Sequence, residues 1–342
     1  MSLRIGFTGD VMLGRLVDDR QHDRSVDAVW GNTLERLRGL DGLVSNLECV
    51  LSTRGREWTR THRPFHFRAD PDWAVPALER AGVDACALAN NHVLDYEAAA
   101  LRDTLAALDE AGIARAGAGE TIDEALEPAA FTIGGSDTEL DVAMISLTDN
   151  TPEYAADENS PGTARVEFDV ETTETRQRVA AALERARGTD PDLLVASLHW
   201  GPNMVTEPPE SFREFGRWLV EHGVDIVHGH SAHVFQGIEI HDGSPIVYDA
   251  GDFVDDYAVD DDLRNDRSFL FVLAVTADGR PTELRLHPTQ IDDYAVHEAR
   301  PGAAAWSRDR MRELSEPFGT EFDRDGETLV LPLDDGEPDG ND

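Results

Sequence analysis

Short apolar runs that alternate with amphipathic helical stretches constrain the fold of this chain most strongly. Runs of this length, separated by helices, are typical of a layered α/β fold with a parallel sheet. The predicted strands are 3–8, 42–46, 84–89, 141–147, 193–198 and 225–227. The predicted helices are 71–81, 96–111, 171–187, 210–222 and 301–316. The order of these elements predicts the fold class as α/β.

The pattern changes in the last third of the chain, where strands follow one another directly. Turn signals at 241–243 and 277–279 divide residues 235–286 into hairpins, and 131–144 predicts another around Gly134 and Gly135. This succession indicates two packed sheets with helices outside. No interdomain linker interrupts residues 1–330, which we expect to form one domain. The acidic, Gly-containing segment 331–342 predicts a disordered tail.

The charge balance excludes several classes of function. The chain carries 68 acidic and 30 basic residues, for a net charge of −38, and every basic residue is Arg. Because the acids are spread along the chain, they favour halophilic adaptation over a site for cations or basic partners; molar salt would screen their repulsion to about 3 Å. Nucleic acid is excluded as a partner, since phosphate binding needs clustered cations. The absence of Lys also excludes Walker A and Schiff-base chemistry.

The N-terminus predicts a cytoplasmic protein. The chain enters its first strand at once, without the apolar stretch of a signal peptide, and no run of about 18 apolar residues follows. We therefore expect neither export nor a membrane anchor. With only Cys49 and Cys86 present, disulfides are not the basis of stability.

Polar side chains follow five of the predicted strands, at the edge where open α/β sheets bind their ligands. A divalent cation needs carboxylate, amide and imidazole groups that converge from separate segments. The sequence therefore predicts a metal site at this edge. In strand order the polar residues are Asp10, Glu48, Asn91 with His92 and Asp95, His199, and His230 with His233.

Six short segments resemble a known family when they are taken as an ordered set. They are Gly9-Asp10-Val11-Met12-Leu13-Gly14-Arg15, Asn46-Leu47-Glu48, Ala89-Asn90-Asn91-His92 with Asp95, His199-Trp200-Gly201, Gly229-His230-Ser231-Ala232-His233-Val234-Phe235-Gln236 and Gly251-Asp252-Phe253. The family is that of the CapA-type poly-γ-glutamate capsule biosynthesis proteins, within the calcineurin-like metallophosphoesterase fold. The resemblance implies a four-layer α/β/β/α sandwich.

The resemblance also implies roles for these residues. Asp10 corresponds to the first metal carboxylate and Glu48 to the carboxylate that bridges two metals. Asn91 corresponds to the amide ligand, and His92 to the histidine that donates a proton to the leaving group or stabilises the transition state. The distal imidazole ligands correspond to His199 and His233, with His230 a competitor for one of these places. The implied cofactor is one or two divalent ions of Mn, Zn or Fe.

Two positions depart from the pattern that the resemblance implies. Metallophosphoesterases usually carry Asp-x-His where this chain has Met12, so an imidazole ligand is missing and fewer than two tightly bound metals are expected. Capsule proteins often show Gly-Asn-Phe where this chain has Asp252. Asp252 is either a charged ligand in place of an amide or the cap of a turn.

Three further features each leave two interpretations open. Asp95 either orients the His92 ring or caps the following helix. The Arg15 guanidinium suits a carboxylate or phosphate of the substrate, or it forms a surface salt bridge. The acidic run 255–262 is expected to be a solvated loop rather than a cation site.

These patterns lead to two hypotheses about function. The first is a cytoplasmic metal-dependent hydrolase that cleaves a phosphoester or a γ-glutamyl-type bond in poly-γ-glutamate or capsule metabolism. The second is a non-catalytic accessory protein that uses the same cleft to bind an anionic polymer during capsule assembly. Both predict a small-molecule or polymeric anionic substrate, and neither defines the oligomeric state.

Overall fold

Two β-sheets form the centre of the molecule in a computed structural model that describes residues 2–135 and 138–333. The strands are β1 (Leu3–Val11), β2 (Gly42–Leu47), β3 (Val50–Leu51), β4 (Arg68–Ala69), β5 (Ala85–Ala87), β6 (Ala114–Ala116), β7 (Ala118–Gly119), β8 (Ala129–Gly135), β9 (Thr138–Thr148), β10 (Gly162–Thr163), β11 (Leu193–His199), β12 (Ile226–His230), β13 (Ile238–His241), β14 (Ser244–Val247), β15 (Asp252–Val254), β16 (Arg267–Val275), β17 (Pro281–Asp292), β18 (Ala295–Glu298), β19 (Asp323–Asp325) and β20 (Thr328–Pro332). The helices are α1 (Leu16–Gln21), α2 (Leu34–Leu37), α3 (Pro71–Ala81), α4 (Glu97–Ala111), α5 (Ile122–Ala125), α6 (Thr173–Arg187), α7 (Glu210–Glu221) and α8 (Pro301–Ser315). Short 3₁₀ segments cover Ala28–Thr33, Pro152–Tyr154 and Glu316–Phe318.

The larger sheet has ten strands and the smaller has six. In the larger sheet β1 lies beside β2, with which it is parallel, and beside β16, with which it is antiparallel. In the smaller sheet the order is β13, β14, β12, β11, β9 and β8, and β9, β11, β12 and β14 are parallel neighbours. Each sheet therefore has a parallel centre, and the carboxyl ends of these central strands share an edge.

Three hydrophobic cores separate four layers. Along β9 alternate side chains enter different cores: Val142 and Met144 face the larger sheet, whereas Ala143 and Ile145 face the helices outside. The third core lies between the larger sheet and α3 and α4. Because successive side chains of a strand point to opposite faces, both faces of each sheet are covered. The predicted α/β/β/α sandwich is confirmed.

Helix boundaries follow from local signals in the sequence. The Asp70 side chain accepts a hydrogen bond from the Asp72 backbone N–H at 3.0 Å, Pro71 opens α3, and Gly82 ends it with φ 79°. Helix α3 therefore matches the prediction residue for residue. Helix α8 is an exception to the expectation that helices lie outside, because its Met311 belongs to the core between the sheets.

The same hydrogen-bond arrangement occurs four times at the amino edges of the two sheets. The Asp that precedes a strand accepts, through its carboxylate, the backbone N–H of the neighbouring strand. The four donor nitrogens and acceptor side chains are Arg4 and Asp41 at 2.8 Å, Leu43 and Asp84 at 2.8 Å, Asp141 and Asp192 at 2.9 Å, and Leu194 and Asp225 at 2.7 Å. Burial raises the pKa of Asp84 and of Asp225 to about 6, against the opposing effect of these hydrogen bonds.

Predicted hairpins and the predicted tail have mixed outcomes. Strands β13 with β14, β16 with β17, and β8 with β9 pair antiparallel, as expected. The predicted start of the tail at residue 331 is too early. Strand β20 continues to Pro332, and the side chains of Leu331 and Leu333 are buried. The rest of the predicted tail, 334–342, lies outside the described residues. None of the helices within 2–135 and 138–333 has the length and apolarity to cross a membrane.

Candidate metal centre

The apolar core between the two sheets gives way to a cluster of buried polar side chains at the carboxyl edge. The Phe7 ring contacts the His228 ring, with centroids 5.3 Å apart, at this border. Beyond it lie Asp10, Glu48 and His199, each no more than 1% exposed. The strand ends therefore bring together side chains that are distant in the sequence, as the alternation of strands and helices predicts.

Asp10 is placed by a close approach of two backbones. A Cβ on Gly9 would lie 1.8 Å from the Gly251 carbonyl oxygen, so only glycine allows β15 to pack there. The Asp10 backbone N–H then donates to that carbonyl at 2.9 Å. The Asn46 amide donates to Asp10 Oδ1 at 2.7 Å, while Asp10 Oδ2 is buried without a hydrogen-bond donor.

Glu48 stands between two imidazole rings. Its Oε1 lies 3.7 Å from His92 Nε2 and 3.7 Å from His199 Nε2. Both Glu48 carboxylate oxygens are buried, and no group within residues 2–135 and 138–333 donates a hydrogen bond to them. Burial, and then the Asp10 carboxylate, raise the pKa of Glu48 well above its ordinary value. Glu48 therefore occupies a position that is unfavourable for an anion in the protein alone.

His92 is held by Asp95. The Asp95 Oδ2 atom lies 2.6 Å from His92 Nδ1, and Asp95 also accepts from the Phe67 backbone N–H at 2.7 Å and from the Tyr154 hydroxyl at 3.1 Å. Helix α4 begins at Glu97 and makes no side-chain hydrogen bond at its cap. Of the two interpretations, Asp95 thus contacts the ring and does not cap the helix.

His233 lies in a strained turn, with φ 60°, beside two carboxylates. Its Nδ1 is 2.8 Å from Asp252 Oδ1 and 3.3 Å from Asp10 Oδ2, and its Nε2 is buried without a partner. Asp252 opens β15 and contacts the ring. The turn is instead held by Asp249, which accepts the backbone N–H of Ala232 at 2.7 Å and of Gly251 at 2.8 Å.

His199 and His230 face each other. Their Nδ1 atoms are 3.0 Å apart, and His230 Nδ1 is 3.6 Å from Asp10 Oδ1. Burial lowers the pKa of His199 to about 3 and lowers that of His230 well below its ordinary value. The two rings are therefore neutral, which is the form that binds metals.

Asn91 is buried at its side-chain oxygen, which has no hydrogen-bond donor. Its backbone carbonyl accepts from the Arg63 guanidinium. The neighbouring Asn90 amide bonds Asn46 Oδ1 at 3.2 Å and the Leu47 carbonyl at 2.9 Å. The amide that contacts the end of β2, just before Glu48, is therefore that of Asn90, and a ligand role for Asn91 stays a prediction.

Two overlapping groups of side chains fit a metal ion: Asp10 with His199 and His230, and Asp10 with Glu48 and His233, with the ligand atoms of each group within 4.8 Å of one another. Buried carboxylate oxygens without donors cost several kcal/mol unless a cation compensates them. A mixture of carboxylate and imidazole donors without thiolate suits Mn, Zn or Fe. The residues present therefore fit the metal that the sequence predicts.

Arg15 lies at the outer side of this cluster in an unusual backbone conformation, with φ 55° and ψ −123°. Its Nε is 3.2 Å from Asp256 Oδ2, and its guanidinium carbon lies 4.3 Å from the centre of the Phe65 ring. Its Nη1 is buried without a partner. The rings of Phe65 and Tyr257 form an aromatic wall beside Arg15, and the centre of the Tyr257 ring is 4.8 Å from that of the His233 ring.

The prediction that 255–262 is a solvated loop is wrong for its first residues. Asp255 is only 4% exposed, and the Asp256 side chain is fully buried against Arg15. Asp260, Asp261 and Asp262 are exposed, as expected. The first residues of this run differ from the later ones because they lie beside Arg15 and Tyr257, next to the metal site.

Met12, at the position where an imidazole was expected, is buried in the core between the larger sheet and its helices. Its backbone N–H donates to the Val254 carbonyl at 2.8 Å. The departure at Met12 therefore leaves an apolar side chain in an apolar place and contributes nothing to the metal site.

Sequence reasoning assigned no role to several residues that the structure places at the site, among them Asn46, Ser197, His228, Asp249 and Tyr257. Three of these stand two residues before a predicted ligand. A signal existed for these three, because Asn46 precedes Glu48 by two, Ser197 precedes His199 by two, and His228 precedes His230 by two. Residues two apart share a face of a strand. Asp249 and Tyr257 lie outside the strands and gave no such signal.

The sequence of this chain matches a known protein family over most of its length. The family described as bacterial capsule synthesis protein PGA_cap matches residues 4–257. This chain belongs to that family. The matched span includes every candidate site residue from Asp10 to Asp252 and extends to Tyr257.

Named relatives agree with membership of the capsule synthesis family. A probable polyglutamine synthesis accessory protein of Mycobacterium tuberculosis is 33% identical over 297 residues, which cover 85% of this chain and 77% of that protein. The capsule biosynthesis protein CapA of Bacillus anthracis is 28% identical, over 74% of this chain and 60% of its own. The PGA biosynthesis protein CapA of Bacillus subtilis is 26% identical, over 74% of this chain and 63% of its own.

Proposed function

We propose that this member of the capsule synthesis family is a divalent-metal-dependent hydrolase that cleaves a phosphoester or γ-glutamyl-type bond in an anionic substrate of poly-γ-glutamate or capsule metabolism. One observation carries the proposal. The donor-free Glu48 carboxylate and the carboxylate-held His92 ring face each other, with Oε1 and Nε2 3.7 Å apart. A site that only binds an anionic polymer requires a metal cation or cationic side chains. It does not require an imidazole ring that is held in one orientation, whereas proton transfer does.

The metal would be held by Asp10, Glu48, His199 and His233, with His230, Asn91 and Asp252 as further candidates. When bound, a divalent cation supplies an activated water and polarises the scissile group. The burial of these ligands keeps bulk water away from them, so their electrostatic interactions are strong. Asp252 supports His233 through the 2.8 Å contact to Nδ1, which leaves Nε2 as the free nitrogen.

His92 is proposed as the proton donor. Asp95 accepts the Nδ1 proton at 2.6 Å and so fixes the plane of the ring. In the protonated ring Nε2–H then points to the space beside Glu48, where a leaving-group oxygen or nitrogen can receive the proton. The Tyr154 hydroxyl and the Phe67 backbone N–H hold Asp95 in turn.

Arg15 is proposed to bind an anionic group of the substrate. Its guanidinium keeps one unpartnered Nη atom beside the site while Asp256 fixes Nε. The planar fork matches a phosphate or a carboxylate, and both proposed substrate classes carry such groups. The Phe65 ring, whose centre lies 4.3 Å from the guanidinium carbon, packs against this fork.

The second candidate, a non-catalytic accessory protein that binds an anionic polymer, has one specific point in its favour: the mycobacterial relative is called an accessory protein. The same Arg15 and the same metal site would serve it. The two candidates differ in whether bound substrate is cleaved.

The test is a direct comparison of binding and turnover in molar KCl. Metal-free protein is titrated with Mn²⁺ or Zn²⁺ by calorimetry, and then assayed with bis(p-nitrophenyl) phosphate, p-nitrophenyl phosphate and γ-glutamyl-p-nitroanilide. Glu48→Gln is expected to lose metal and turnover, whereas the exposed Asp261→Asn is expected to keep both. Binding of poly-γ-glutamate without turnover of any substrate would support the accessory protein instead.

A further inference from the structure

Four polar side chains of β11 and β12 form a buried two-by-two array beside the metal site. The parallel register places Ser197 opposite His228 and His199 opposite His230. All four side chains are at most 1% exposed. Parallel neighbours in register present their side chains on the same face, so these groups contact one another directly. The array continues the face that carries Val195 and Ile226 in the core between the sheets.

Hydrogen bonds connect this array from a backbone carbonyl to the metal site. The first contact joins His228 Nε2 to the Thr8 carbonyl oxygen at 2.8 Å. Ser197 Oγ then lies 3.1 Å from His228 Nδ1 and 2.9 Å from His230 Nε2. The last contact joins His230 Nδ1 to His199 Nδ1 at 3.0 Å.

The direction of every hydrogen bond follows from the first. A carbonyl oxygen only accepts, so His228 carries its proton on Nε2 and, when neutral, accepts the Ser197 hydroxyl proton on Nδ1. The Ser197 oxygen is then free to accept from His230 Nε2–H. This leaves a lone pair on His230 Nδ1. The His228 ring is fully buried, and burial favours the neutral form of an imidazole.

His199 completes the sequence. Two lone pairs 3.0 Å apart would repel, so in the absence of a cation between them His199 Nδ1 carries the proton and donates to His230. The unprotonated nitrogen of His199 is then Nε2, which lies 3.7 Å from Glu48 Oε1. The alternative directs both Nδ1 lone pairs to one cation with Asp10, the other group that fits a metal.

We infer that the Thr8 carbonyl, His228, Ser197 and His230 form a tautomer lock that presents His199 Nε2 to the metal. Under this inference His230 is a positioning residue and not a ligand. The metal-facing part rests on the proposed function, whereas the direction of the hydrogen bonds does not.

The lock differs from the partners of the other two imidazoles at the site. His92 and His233 are each held by a carboxylate, Asp95 and Asp252, at 2.6 and 2.8 Å. A third carboxylate behind His199 would add negative charge to a site that already buries Asp10 and Glu48. A neutral chain that ends on a backbone carbonyl fixes the tautomer without that cost.

The lock is tested first in metal-free wild-type protein, by long-range ¹⁵N–¹H correlation spectra of ¹⁵N-histidine-labelled chain in molar KCl. The expected result is a proton on Nε2 of His228 and His230 and on Nδ1 of His199. A proton on Nδ1 of His230 would overturn the inference. This measurement needs neither bound metal nor a variant.

Metal affinity tests the positioning role. Ser197→Ala interrupts the chain and is expected to weaken Zn²⁺ binding by about 10- to 100-fold and to average the tautomers of His199 and His230. Ser45→Ala is the matched control, because the Ser45 hydroxyl is buried in β2 without a hydrogen-bond partner. Equal affinities of the two variants would overturn the positioning role. Wild-type protein that binds no Zn²⁺ would overturn the proposed function and that role together, while the spectra still decide the direction of the hydrogen bonds.

Discussion

The two edges of the central sheets use the same residue types in opposite ways. At the amino edge Asp84 and Asp225 each accept a backbone N–H from the neighbouring strand, at 2.8 and 2.7 Å. At the carboxyl edge Asp10 and Glu48 keep buried oxygens without any donor. The acids of the amino edge serve the pairing of strands, and those of the carboxyl edge are suited to a cation.

The backbone beside the carboxyl edge is also unusual. Positive φ angles outside glycine occur beside the carboxyl edge at Arg15, Ser231 and His233, which have φ of 55°, 118° and 60°. Such conformations cost about 1–3 kcal/mol each and persist where surrounding contacts impose them. Strain of this kind next to unpaired acids is what we expect of a functional site. The predictions below test the difference between the edges.

The largest expected effect is at the carboxyl edge. Asp10→Asn and His233→Ala should lose bound metal and activity together, because each removes a group that holds the cation. The corresponding change at the amino edge, Asp192→Asn, should leave metal content unchanged. Elemental analysis after desalting, together with turnover, checks this. Metal retained by both carboxyl-edge variants would contradict the assignment of ligands.

His92→Ala should separate the proton donor from the ligands within the same edge. Metal content should persist, while turnover falls on the order of 10²- to 10⁴-fold, the usual contribution of a positioned acid. A substrate with a better leaving group should recover part of the loss. His66→Ala is the control, since His66 Nε2 hydrogen-bonds a backbone carbonyl, that of Trp58, at 2.9 Å, rather than a carboxylate. Loss of metal from His92→Ala would make His92 a ligand instead.

Salt should act on the exposed acids and not on either buried edge. With a net charge of −38, the native state should be lost between 3 M and 0.1 M KCl, where the screening length grows to about 10 Å. Far-UV circular dichroism during dilution follows this loss. A native spectrum that persists at the lowest salt concentration would argue against halophilic adaptation.

The smallest effect is expected at the amino edge, as a change in pH dependence. Asp84 and Asp225 have folded pKa values of about 6, raised by burial from 3.8. A raised carboxyl pKa contributes stability below pH 3.8 that is lost as the pH rises through about 6. Asp84→Asn keeps an oxygen for the Leu43 N–H and cannot ionise. As the pH rises from 4 to 7, the free energy of unfolding of Asp84→Asn should therefore increase relative to that of wild type by about 1 kcal/mol.

Urea unfolding of wild type and Asp84→Asn at several pH values in molar KCl measures this difference. At the same edge the Arg4 backbone N–H donates to Asp41, whose side chain is 33% exposed, and Asp41→Asn provides the comparison variant. Parallel stability curves for wild type and Asp84→Asn would show that the buried carboxyl is not the cause.

Much of the site could be predicted because its residues follow strands. Asp10, Glu48 and His199 come at or just after the ends of β1, β2 and β11, and the carboxyl ends of parallel strands share an edge. The short apolar run 141–147 likewise predicted β9, whose two faces both enter hydrophobic cores. These features depend on periods of two or 3.6 residues, which are local properties of the chain.

Tertiary structure alone decided which groups face each other. Asp252 contacts His233, Asp256 accepts the Leu16 backbone N–H across 240 residues and also pairs with Arg15, and His228 reaches the Thr8 carbonyl across 220. No local period encodes these partners, because they depend on strand register and on how the turns after the strands pack. The sequence by itself determined that acids and imidazoles would gather at one edge; packing decided which nitrogen is free, which carboxylate lacks a donor, and that Met12 turns into the core.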